Sequence, residues 1–132
     1  MALIPTLSIK DTTTFSDEIN FSVTDSLAVT APAQSLSTII ATATGGDNTI
    51  IPAAAGTRYL YIRHTGTTDG STGANVAAHV DVEDEDNNSL CRLEAEEWAF
   101  FPCSVANASK AIQLQVSHAS VVQVEYAYWT KS

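Results

Sequence analysis

The chain has 132 residues, of which 45% are apolar and 16% charged, enough apolar side chain for one domain core and too little charge for a disordered polymer. Fifteen acids against six Lys and Arg give a formal charge of −9, which argues against nucleic acid and anionic membranes, because both are held through basic side chains. No segment has the roughly 18 consecutive apolar residues of a spanning helix, and the start, MALIPTLSIK, lacks the basic region of a signal peptide. The expectation is synthesis in the cytosol without secretion.

In chain order, the residues before Phe15 are polar with alternating apolar positions and are expected to form an N-terminal arm, 1–14, ordered against a neighbour. Residues 15–132 then form the domain. Ile19, Phe21 and Val23 alternate with Asn20, Ser22 and Thr24, the period-2 pattern of a half-buried strand. Leu27 and Val29 resume it up to Pro32, Ser35 to Thr44 reads as a further strand, and Gly45-Gly46-Asp47-Asn48 supplies a turn. Ile50 and Ile51 precede the short apolar loop Pro52–Gly56. Arg58 to His64 is a strong strand, and Thr65 to Gly73, with three glycines and no large apolar side chain, is predicted to be an exposed loop.

Val76, Ala78, Val80 and Val82 share one face of a strand, with His79 and Asp81 on the other. Glu83 to Asn88 turns the chain back into Leu90 to Leu93, which makes a hairpin. Glu94 to Glu97 forms either a helical turn or a charged corner, and Trp98 to Phe101 runs to a break at Pro102. Ile112, Leu114 and Val116, then Val122, Val124, Tyr126 and Tyr128, are the cleanest alternating strands. About eight strands separated by turn signals predict an all-β, antiparallel β-sandwich, jelly-roll-like, with an extended N-terminal arm.

Chemistry is sparse along this frame. Asp84, Asp86 and Asn88 alternate as oxygen ligands for calcium do, but Ser89 and Ala95 stand where a helical calcium loop needs its glycine and its bidentate Glu, so a solvated hairpin tip is expected. His64, His79 and His118 lie on separate elements and are read as surface or loop-base residues, and Cys91 and Cys103 match no metal spacing. The two cysteines are expected as buried thiols, although a hairpin that joined them would permit a disulfide. No serine elbow accompanies these groups, and Glu94, Glu96 and Glu97 read as a charged corner rather than an acid pair. No enzyme, cofactor or metal is expected.

Among the aromatic residues, Tyr59, Tyr61, Trp98, Phe100, Phe101, Tyr126, Tyr128 and Trp129, most are expected in the core, and Trp98→Ala would cost about 3 to 5 kcal/mol if its ring lies there. Alternation turns Tyr59, Tyr61 and Trp129 outward. Together with Leu3, Ile4, Leu7 and Ile9 of the arm they are the candidate partner-binding residues. Outward rings beside acids and amides also suit a carbohydrate-binding module for host surface glycans, an alternative from a different class.

The stretches YLYIRHTGTTDGSTGA from Tyr59, LEAEEWAFFP from Leu93 and VVQVEYAYW from Val121 resemble small virion proteins of tailed bacteriophages of the marine and cyanobacterial type. The resemblance covers rather more than half the chain and carries no catalytic residues. It implies a structural component of the particle, foremost a capsid decoration or cement protein that binds the major capsid protein shell, often as a homotrimer. A tail, neck or fibre component is the second possibility. The location implied is the virion surface, after synthesis in the host cytoplasm.

Overall fold

A computed structural model describes residues 1–10, 20–43, 48–105, 110–117 and 120–132. Among the described residues the chain forms no helix and eleven strands: β1 (Ala2–Leu3), β2 (Thr6–Lys10), β3 (Asn20–Thr24), β4 (Leu27–Thr42), β5 (Asn48–Ile51), β6 (Gly56–His64), β7 (Val80–Asp84), β8 (Ser89–Leu93), β9 (Trp98–Val105), β10 (Ile112–Val116) and β11 (Val121–Lys131). Every pairing between them is antiparallel. The all-β expectation holds.

A five-stranded sheet runs β1-β4-β11-β6-β9, a four-stranded sheet runs β5-β10-β7-β8, and β2 and β3 form a separate ribbon. The pairs are nested, β4 with β11, β5 with β10, β6 with β9 and β7 with β8, so the chain from Leu27 onward behaves as one long hairpin whose successive pairs fall alternately in the two sheets. The β6–β11 and β7–β10 pairings then complete each sheet.

Strand alternation explains the core. Leu60, Ile62, Val122, Val124 and Tyr128 of the larger sheet and Val80, Val82, Leu93, Ile112, Leu114 and Val116 of the smaller one belong to a single buried cluster, which makes the arrangement a two-layer sandwich. A one-residue slip of β6 would turn Leu60 and Ile62 to the outside, so burial itself fixes the register.

Several expectations are corrected. Eleven strands replace about eight, chiefly because Ala2–Leu3 pairs with Leu27 and Ala28 and Thr6–Lys10 pairs with Asn20–Thr24. Ala2–Leu3 and Thr6–Lys10 thus pair within their own chain, while residues 11–14 of the expected arm lie outside the described residues. Pro32 does not end β4, which continues to Thr42 while register shifts around Tyr128 and Trp129 absorb the irregularity. Pro102 does not end β9 either; β9 lies at the sheet edge, where a missing N–H costs no ladder bond.

The strand expected from Val76 begins only at Val80. Val76 and Ala78 are buried all the same, held by a loop in which the Val76 N–H donates to the Gly66 carbonyl at 2.9 Å. Glu94 to Glu97 is the charged corner: the Glu97 N–H donates to the Glu94 carbonyl at 3.1 Å, and Glu96 adopts a φ of 70°. His64 is a loop-base residue but lies in the interior, 0% exposed. Cys91 and Cys103 are both free thiols. Phe15, Ile19, the turn at Gly45 to Asp47 and His118 lie outside the described residues.

Candidate functional site

The β2–β3 ribbon has two unlike faces. Its register sets Leu7 opposite Val23 and Ile9 opposite Phe21, and directly opposed residues share a face. The other face carries Thr6, Ser8 and Lys10 against Thr24, Ser22 and Asn20, with the Thr6 and Thr24 hydroxyls 3.0 Å apart. All four apolar side chains remain near half exposed: Leu7 and Ile9 at 42%, Phe21 at 45% and Val23 at 56%. A two-stranded ribbon is at best marginally stable in water without a layer on its apolar side, and here that side is only about half covered.

Beside the ribbon lies the outer face of the larger sheet. The β6–β9 and β6–β11 registers place Tyr59, Tyr61, Trp98, Phe100 and Trp129 on this face, away from Leu60 and Ile62. Tyr59 stacks on Phe100 with ring centroids 6.3 Å apart, and Phe100 meets Trp129 edge-on at 6.5 Å. Pro5, Thr6 and Leu7 form one wall of a groove of about 230 Å³ whose other wall is Tyr61, Trp98 and Phe100. A neighbouring hollow adds Val23 and Asp25.

Of the residues singled out from sequence, Leu7, Tyr61 and Trp129 fall on this composite surface. Tyr59 is on the same face but only 8% exposed, because its neighbours cover it. Leu3 is half-buried in β1 and Ile4 is exposed in the link to β2, while Ile9 sits farther along the ribbon. Trp98, whose ring the sequence allows either in the core or on the surface, is 56% exposed and is a surface residue. Phe21, Val23 and Phe100 were missed as surface anchors. Opposition of Leu7 and Ile9 to Val23 and Phe21 was the available signal, but only once the two segments are known to pair.

The remaining candidates are tied up in local structure. The Asp84 carboxylate accepts from the Asn88 amide at 2.9 and 3.0 Å, from the Asn88 N–H at 3.0 Å and from the Asp86 N–H at 2.9 Å, while Lys110 pairs with Asp86. The Asn88 side-chain and backbone donors hold the Asp84 carboxyl below the usual carboxylate range. Among the described residues no group of three or more His, Cys, Asp or Glu converges on a point.

A wider groove of about 490 Å³ between β8 and β9 is lined by Cys91, Arg92, Leu93, Glu96, Glu97, Trp98 and Ala99. Its thiol is a poor nucleophile, since burial first and the Glu97 and Asp81 charges second push the Cys91 pKa up. Arg92 is engaged by Asp81 through two bonds at 2.9 and 3.2 Å, and His79 approaches the same carboxylate at 3.4 Å. Glu97 Oε2 accepts the Glu94 N–H at 2.8 Å, so that acid closes its own turn.

No protein-family model, curated protein or solved structure matches the chain.

Proposed function

We propose that this chain is a structural, non-catalytic component of a tailed-phage particle, a capsid decoration or cement protein that docks on the major capsid protein shell, as a homotrimer. One observation carries the reading: among the described residues an amphipathic ribbon leaves Leu7, Ile9, Phe21 and Val23 about half exposed beside an aromatic sheet face, which is the form of a docking element. The nested strand order supports it, because pairs that alternate between two sheets are how a jelly roll closes, and viral capsid proteins use that architecture. Lectin domains use it too, so the order alone does not decide the function. A chain of −9 charge docks best through an uncharged surface or opposite a basic one, and the ribbon's apolar face is uncharged. Many copies on one shell make modest individual contacts sufficient.

Co-sedimentation with shells assembled from the major capsid protein alone tests this. Saturable binding is expected, and Ile9→Ser with Phe21→Ser weakens it roughly tenfold or more, since covering each half-exposed side chain contributes about 1 kcal/mol. Absence of binding would contradict the proposal, and strong binding to a glycan array would favour the carbohydrate module.

A further inference from the structure

Arg58 stands at one end of the core, on the side of β6 that carries Leu60, Ile62 and His64, and is only 8% exposed. A guanidinium in such a place is costly unless its charge is matched. Among the described residues its hydrogen-bond partners are two backbone carbonyls: Nη1 donates to Thr57 and Nη2 to Ala55, each at 3.3 Å. Both are neutral acceptors at long range for this bond type, and the group has five N–H donors to place. Among the described residues no carboxylate forms an ion pair with it.

The guanidinium lines a cavity of about 230 Å³ together with Ile51, Pro52, Ala54, Tyr128 and Thr130. The β6–β11 register sets Thr130 opposite Arg58 and Tyr128 opposite Leu60, so both side chains lie on the Arg58 side of the sheet. Burial first and the Tyr126 phenol second push the Tyr128 phenol up, while the Arg58 charge pulls against them. Gly56, at φ +115°, leaves the room: a Cβ there would stand 2.9 Å from Arg58 Nη1. The site therefore combines one buried cation, two hydroxyls and apolar walls, and no lining residue is acidic.

The geometry points to a carboxylate-binding site, with Arg58 as the charge partner and Tyr128 and Thr130 as hydroxyl donors beside it. A planar carboxylate matches the guanidinium fork. A single negative charge balances the single positive one, whereas dianionic phosphate would leave an uncompensated charge in a low-dielectric pocket. The volume is below the roughly 300 Å³ at which pockets for drug-sized ligands begin, so the ligand is short: a free small acid, or the side chain of an Asp or Glu that a partner inserts. The inference stands independently of the cement proposal.

The test is thermal melting of the whole chain at neutral pH in sodium acetate, and separately in N-acetyl-glutamate amide, each against sodium chloride of equal ionic strength and against inorganic phosphate. The acetate and glutamate arms separate a free acid from a side chain: acetate alone assigns the cavity to free acids, and a response to both assigns it to an inserted side chain. The expected result is a melting temperature that rises with carboxylate concentration as ligand linkage requires. Arg58→Met keeps the apolar stem and weakens the response roughly tenfold or more, because a charge-assisted pair is lost. Should Arg58→Met fail to fold, Thr130→Val and Tyr128→Phe retain the cation and are expected to weaken binding several-fold. Overturning results are equal melting in acetate and chloride, a larger shift in phosphate than in carboxylate, or carboxylate shifts that none of the three substitutions changes.

Discussion

Replacing a tryptophan by alanine usually damages a domain more than replacing a leucine, and here the order is expected to invert. Leu60 is 0% exposed at the centre of β6, between β9 and β11, and belongs to the cluster that joins both sheets. Leu60→Ala removes its buried methyl groups and leaves a cavity, at a cost of about 2–5 kcal/mol. Trp98 is 56% exposed on the outer face, so only about half of the 1.5–3 kcal/mol for burying a large apolar side chain is at stake, or about 1 kcal/mol. For a domain of this size each kcal/mol moves the melting temperature by about 4 °C. Leu60→Ala should therefore lower it by about 8–20 °C and Trp98→Ala by about 4 °C. Urea unfolding at one fixed protein concentration reads both, with an unchanged m-value as the check that the denatured state is the same. A Trp98→Ala cost as large as that of Leu60→Ala would mean that the outer face is buried within the chain, and the docking surface would disappear with it.

Three further outcomes follow from single residues. His64 Nδ1 accepts the Gly66 N–H at 2.9 Å and Nε2 contacts the Ala78 carbonyl at 2.9 Å, so His64→Leu strands two buried backbone groups and should cost about 2–4 kcal/mol in urea unfolding; a neutral result would refute its role as the staple of the 65–79 loop. The Ser71 and Gly73 N–H groups, in that order, and the Thr72 hydroxyl hold the Asp69 carboxyl below its ordinary value. Its contribution to stability is present above about pH 4 and is lost as the pH falls through the depressed folded value, so Asp69→Ala should flatten the acid limb of the stability curve and speed hydrogen exchange at Ser71 and Gly73. Burial pushes the Cys103 thiol up to about 11, with Arg58 opposing. The unfolded thiol ionises first, so this contribution is intact below about pH 9 and is lost as the pH rises toward 11; Cys103→Ala should remove that alkaline slope, and iodoacetamide at pH 8 should label Cys91 before Cys103.

The strands whose two faces differ most were legible in the sequence. β10 and β11 alternate over their lengths, and Asp84 to Asn88 carries a hairpin's turn chemistry, so their positions followed from period and punctuation alone. Alternation sets Leu60 and Ile62 opposite the outward Tyr59 and Tyr61, but not what else comes inside with them. Arg58, Leu60, Ile62 and His64 share one parity, and the choice of the Leu60 side as interior carries the arginine and the histidine inside with it. That signal was present in RYLYIRH, but polarity at its two ends masked it.

Pairing order was harder still, because partners such as Thr42 and Val121 are far apart in sequence and no local pattern couples them. The ribbon is hidden for the same reason: 1–14 reads as an arm and Ile19 to Thr24 as a half-buried strand, and only the pairing of Thr6–Lys10 with Asn20–Thr24 puts their apolar side chains on one half-exposed face. Pro32 and Pro102 read as breaks because proline removes a ladder donor; an irregular register in one case and an edge position in the other make that loss harmless.

An electron-microscopy map of phage shells assembled with this chain tests the docking proposal most directly. The account predicts sandwiches clustered in threes on the outer surface of the shell, with Leu7, Ile9, Phe21 and Val23 covered at the contact. Density for the chain confined to the tail, or a sandwich seated on the shell with those four side chains still facing solvent, would contradict it.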